Sequence, residues 1–177
     1  MKHISNTGSA KSAAWIAFLV AAVTLSSFVF ACATPFAALA ALTMQRRQAF
    51  VLVLAAWAAN QFIGYVFLNY PQTTDSFAWG LMIGLAGLAA VETAMITRTL
   101  WPGVPFAAPV FAFAGGFVAY EAVLYATGLV ASDTGGFSPE IVGYVFEVNV
   151  LSFAGLLVLQ AVGRALGMAA PQARTTG

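Results

Sequence analysis

Five apolar runs dominate this chain and leave few folds open to it. They extend over Ser12 to Met44, Gln48 to Leu68, Phe77 to Met95, Val104 to Val130 and Ile141 to Ala165. About 20 mostly apolar residues cross roughly 30 Å of hydrocarbon as a helix, and these runs reach or approach that length. Only 7% of the 177 residues are charged and 61% are hydrophobic. A soluble domain is about one quarter charged, so this chain cannot solvate a water-facing surface. Strands of a membrane barrel would read as segments of about ten residues with alternating polarity, and the runs do not alternate. The sequence predicts an all-α polytopic membrane helix bundle with five to six transmembrane segments.

Composition also closes off several functions. A net charge of +1 argues against a nucleic-acid surface. One cysteine excludes an internal disulfide and every multi-cysteine metal motif. The only histidine, His3, lies in a polar N-terminal stretch, so bis-histidine haem and histidine-based metal centres have no ligands in the spans. No P-loop, Ser/His/Asp set, zinc motif or Gly-rich dinucleotide turn occurs. The expectation is a protein that is not an enzyme and has no intrinsic cofactor or metal.

Polar punctuation divides the chain into an N-terminal tail (1–12), a single transmembrane domain (13–165) and a C-terminal tail (166–177). Arg46 and Arg47, "NYPQTTDS" (69–76), "RTLWPG" (98–103) and "ASDTGGFSPE" (131–140) interrupt the runs. Lys and Arg favour the cytoplasmic side, which assigns Arg46, Arg47, Arg98, Arg164 and Arg174 to it. Four spans then alternate: 48–69 outward, 77–97 inward, 104–130 outward and 140–164 inward. Trp79 and Tyr70 fall where an outer aromatic belt belongs, and Trp101 marks the inner one. Lys2 and Lys11 place the N-terminus inside. The chain must then leave and return between residues 13 and 45, too short for two full spans. A span over 13–31, a turn at "CATP" and a short returning helix from Pro35 satisfy this, since proline suits a helix's first turn. That gives six segments with both termini cytoplasmic. One long kinked helix, giving five spans, is the alternative. The protein belongs in a cell membrane, the inner one in a Gram-negative cell.

Ionisable groups in hydrocarbon are costly and mark function by default. Glu92, Glu121 and Glu147 are the three candidates, with the amides Asn60, Gln61, Asn149 and Gln160. At about 1.5 Å per residue, Asn60, Glu121 and Glu147 fall in one layer of the outer half. Such a layer suits a small-molecule or ion site, with Tyr65, Tyr120, Tyr125 and Tyr144 supplying aromatic walls with polar tips. The carboxylates could equally join helices by hydrogen bonds. Asn60 reads as interhelical glue as well as a ligand. Glu92 is expected to pair with Arg98.

Cys32, in "FVFACATPF", has three readings: a lipoprotein-type attachment point, a buried small hydrophobe, or a soft ligand to a metal-containing cofactor. Phe30 is bulky for the first, and the apolar run continues past the cysteine. Small residues repeat every fourth position at Ala13, Ala17 and Ala21, at Ala33, Ala37 and Ala41, and at Gly80/Gly84 and Gly163/Gly167. Such spacing lets helices approach closely.

Six alanine-rich segments with both ends inside, and "AAWIAFLVA" with Ala13, Ala17 and Ala21, resemble the substrate-binding S components of energy-coupling-factor vitamin transporters. The resemblance implies that Ala13, Ala17 and Ala21 dock a transmembrane coupling subunit served by ATPases. It also implies a pocket open to the outside that binds a vitamin. Small solitary members that take cobalamin have a cysteine suited to cobalt, and Cys32 would play that part. The expected ligand contacts are Asn60, Gln61, Glu121, Tyr125, Glu147, Asn149 and Cys32. The alternatives are a proton- or cation-coupled carrier that uses the glutamates, and a non-transport membrane subunit or assembly factor.

Overall fold

The computed structural model describes residues 33–100, 104 and 107–165, and these are mostly helical with no strand among them. Five helices follow one another: α1 (Ala33–Thr43), α2 (Arg46–Val66), α3 (Thr74–Thr97), α4 (Ala107–Ala131) and α5 (Pro139–Ala165), with a short 3-10 turn (Gly135–Phe137) before α5. Helices α2 to α5 are each long and apolar enough to cross a membrane, and α1 is a shorter apolar helix. The expected all-α bundle is therefore present among the described residues, with four candidate membrane-spanning helices. The choice between five and six spans turns on residues 13–31, which lie outside the described residues, as do Trp101 and both tails.

Helix α1 is the centre of the bundle. It packs against all four long helices, and Phe36 to Ala41 are buried without interruption. A helix needs polar residues only where it meets water, so an all-round apolar, alanine-rich sequence suits this position. Alanine also has the highest helix propensity and lets neighbouring helices approach. Eleven residues make α1 about 16 Å long, roughly half a span.

The long helices pack through glycines that accept particular side chains. On α3, Gly80 and Gly84 form the groove for α2. Trp57 lies over Gly84 and donates from Nε1 to the Gly80 carbonyl at 2.7 Å, while the Gln61 amide rests against Gly80. On α4, Gly115 faces Thr97 of α3, whose hydroxyl donates to the Phe111 carbonyl at 2.7 Å. Gly116 faces the backbone of Ala90 and also approaches Thr34 of α1. Helix α5 packs on α1. It meets α4 through phenylalanine rings, with Phe113 stacked on Phe153 at 5.1 Å and Phe117 edge-on to Phe146 at 5.1 Å.

The described arginines gather at one end: Arg46 and Arg47 start α2, Arg98 follows α3 and Arg164 ends α5. Asp75, Asp133 and Glu140 lie at the other end. There α2 and α4 both stop in left-handed backbone, at Asn69 (φ 54°) and Ser132 (φ 58°). After α4, Asp133 N–H returns to the Gly128 carbonyl and Ser132 N–H to that of Leu129. This is the Schellman arrangement, which satisfies the last carbonyls of a helix.

The charged corner at the arginine end corrects one expectation. Glu92 pairs with Arg46, not with Arg98, in the only ion pair among the described residues. Arg46 donates to it from both Nε, at 2.7 Å, and Nη2. Arg98 instead donates to the Ala41 carbonyl in the last turn of α1. Six residues separate Glu92 from Arg98 on one helix, about 600° of rotation and thus 120° apart in direction. Each side chain therefore reaches a different neighbour. Arg98 brings a cation to the C-terminus of a buried helix, where the carbonyl dipoles favour it.

Candidate functional site

The inner face of α5 carries the least satisfied polar groups in the described bundle. Asn149 and Gln160 are only 4% and 5% exposed, on the same buried face as Phe153, Leu156 and Gly163. Eleven residues separate the two amides, three turns plus about 20°, so they lie in one line along the side that packs on α1. Asn149 Oδ1 and Gln160 Oε1 have no hydrogen-bond partner among the described residues. The Asn149 amide is not free to turn, because Nδ2 donates to the Val145 carbonyl at 2.7 Å. A flip would set two acceptors against each other. The acceptor oxygen therefore points away from its own helix, and burying it unpaired costs about 1–3 kcal/mol.

Ring contacts fix the depth of Asn149. Phe113 touches both Phe146 and Phe153, which sets residues 146–153 of α5 beside residues 113–117 of α4. A β-carbon at Gly116 would lie 3.8 Å from Thr34 Cγ2. Asn149 is thus level with the first turn of α1. Gly116 is nine residues from Ala107, the first described residue of α4, about 14 Å along that helix. Pro35 of α1 is fully buried and contributes no N–H. The acceptor oxygen on α5 therefore shares one layer with the buried Thr34 and Pro35 of α1.

The other expected site residues go to different places. Asn60 and Gln61 belong to the seam between α2 and α3. Gln61 Nε2 approaches Asn60 Oδ1 at 3.5 Å, and beyond it Tyr65 shares a hydrogen bond with Ser76 at 3.0 Å. Helix α2 packs on α1 and α3, so these amides serve that seam and are not carried to α5. Glu121 is half-buried on the shoulder of α4, with no hydrogen bond or ion pair among the described residues. Tyr125, one turn further, is exposed and meets Phe137 edge-on at 5.4 Å. Glu147 is exposed. Two residues from Asn149 on a helix is about 200°, so Glu147 faces away from α1 while Asn149 faces towards it. Cys32, Ala13, Ala17 and Ala21 lie outside the described residues.

No group of three or more His, Cys, Asp or Glu among the described residues could hold a metal ion. Searches against family models, curated proteins and solved structures match nothing to this chain.

Proposed function

We propose that the protein is a membrane-embedded binding protein for uptake of a small metabolite of the vitamin class, and that the ligand contacts the inner face of α5 at Asn149. One observation carries the reading: the fixed, buried Asn149 Oδ1, without a partner among the described residues, level with Thr34 of α1. Irregular or discontinuous helices inside a membrane are tolerated where they are buried in protein or line a cavity. A ligand that suits this layer donates a hydrogen bond to Asn149 Oδ1, as amides, hydroxy acids and zwitterions can. Glu121 stands beside the layer as a negative group, and Glu147 is not a ligand contact in this arrangement. Energy for uptake would come from a partner, because the chain has no nucleotide-binding motif.

Purification in mild detergent, followed by mass spectrometry of the small molecules released on denaturation, tests the reading. A single metabolite near one-to-one ratio is the expected result. An empty protein, after incubation with a panel of vitamins and related metabolites, would refute it. A coupled carrier would instead show pH-dependent flux lost in Glu121→Gln. An assembly factor would show neither ligand nor flux.

A further inference from the structure

Glu121 sits between two aromatic contacts that join α4 to the segment after it. Phe117, Glu121 and Tyr125 follow one another at four-residue spacing, which sets them along one ridge of α4. Phe117 meets Phe146 of α5 edge-on at 5.1 Å, and Tyr125 meets Phe137 of the 3-10 turn edge-on at 5.4 Å. The carboxylate therefore lies in the α4–α5 seam, with a ring pair one turn away on either side. Level with it on α5 is Gly143, three residues before Phe146. Nothing among the described residues would stand within 4 Å of a β-carbon there.

An acid within a membrane span almost always has a partner, and Glu121 has no hydrogen bond or ion pair among the described residues. The four described arginines gather at the other end of the bundle. The chain's remaining cations, Lys2, Lys11 and Arg174, belong to its terminal stretches. A hard metal ion takes six or more oxygen ligands or several waters, and Glu121 belongs to no acidic cluster among the described residues. Rings favour a different guest, because their faces attract ammonium groups within about 6 Å. In each edge-on pair one ring offers only its edge and keeps its faces for other contacts.

We propose that this notch binds a small organic cation, a substituted ammonium, with Glu121 as its counter-ion and the rings of Phe117 and Tyr125 as its walls. The carboxylate supplies the charge and the rings select an alkylated cation over a hydrated inorganic one. The proposal does not rest on the Asn149 reading. Glu121 is five residues beyond Gly116, about 8 Å along α4 from the layer that holds Asn149.

The test is equilibrium dialysis of full-length protein in a maltoside detergent, which carries no ammonium group. The probes are choline, benzyltrimethylammonium and the neutral analogue of choline in which a tert-butyl group replaces the trimethylammonium. The two cations should bind and the neutral analogue should not. Glu121→Gln keeps the side chain's shape and should weaken cation binding about tenfold or more. Tyr125→Leu, at an exposed position, should weaken it about two- to fivefold. Glu147→Gln, on another face of the bundle, should leave it unchanged. Failure of both cations to bind, equal binding of the neutral analogue, or full affinity in Glu121→Gln would overturn the proposal. So would displacement of choline by an equal concentration of sodium, since that assigns the carboxylate to an inorganic ion.

Discussion

Gly115→Ala probes how closely α4 packs on α3. A β-carbon at Gly115 would lie 2.7 Å from both Cγ2 and Oγ1 of Thr97. Ordinary contact begins near 3.4 Å, so Thr97 must retreat by about 0.7 Å or the helices must part. Moving Thr97 disturbs the hydrogen bond from its hydroxyl to the Phe111 carbonyl. Such interhelical bonds contribute on average about 0.6 and at most about 1.7 kcal/mol in a membrane bundle. Overpacking costs a further 1–3 kcal/mol or so, and alanine returns about 0.5–1 kcal/mol by its better helix propensity. The net expectation is a loss of about 1–3 kcal/mol, read by unfolding in mild detergent. The decisive comparison is the double variant. Thr97→Ala alone should lose about 0.6–1.7 kcal/mol, but Gly115→Ala added to it should cost less than in the wild type, because the colliding methyl and hydroxyl are gone and only the 3.1 Å approach to the residue 97 β-carbon remains. A Gly115→Ala effect that is absent in the wild type, or equal in both backgrounds, would refute the packing argument.

Gly128→Ala should destabilise by about 1–3 kcal/mol, because its β-carbon would meet the Asp133 carbonyl at 2.6 Å and open the turn after α4. Gly155→Ala, with nothing within 4 Å, should be neutral or stabilising by up to about 1 kcal/mol, and the same unfolding assay separates the two. Arg98→Gln should cost about 1–2 kcal/mol by removing the cation at the end of α1. Glu92→Gln, which breaks the partly exposed pair with Arg46, should cost less than about 1 kcal/mol.

Long-range features of the fold were legible because the bilayer simplifies the problem. Span length follows from hydrocarbon thickness, and the charges at "RR" (46–47) and "RTL" (98–100) ended the runs close to where the helices end. The short returning helix was expected from Pro35 after a turn at "CATP", but Ala33 and Thr34 of that turn are already helical, and what precedes them lies outside the described residues. What sequence could not supply was rotation about each helix axis. The apolar residues surround each helix almost evenly, so periodicity hardly says which face turns inward. Depth alone grouped Asn60, Glu121 and Glu147, yet Glu147 turns outward and Asn60 sits at the α2–α3 seam. The Glu92 pairing failed for the same reason, since proximity along α3 does not overcome a 120° difference in direction. The line formed by Asn149 and Gln160 was visible in principle, as an eleven-residue spacing. It gained meaning only once that face was seen to pack on α1.

The most direct test of the account is ligand retention by Asn149→Leu. Leucine approximates the shape of asparagine and removes the unpartnered oxygen, so the buried face of α5 should remain packed. Wild-type protein and Glu147→Gln should release the same metabolite at near one-to-one ratio on denaturation, while Asn149→Leu should be folded and empty. If Asn149→Leu retains the metabolite in full, the inner face of α5 is not the binding site and the central claim fails.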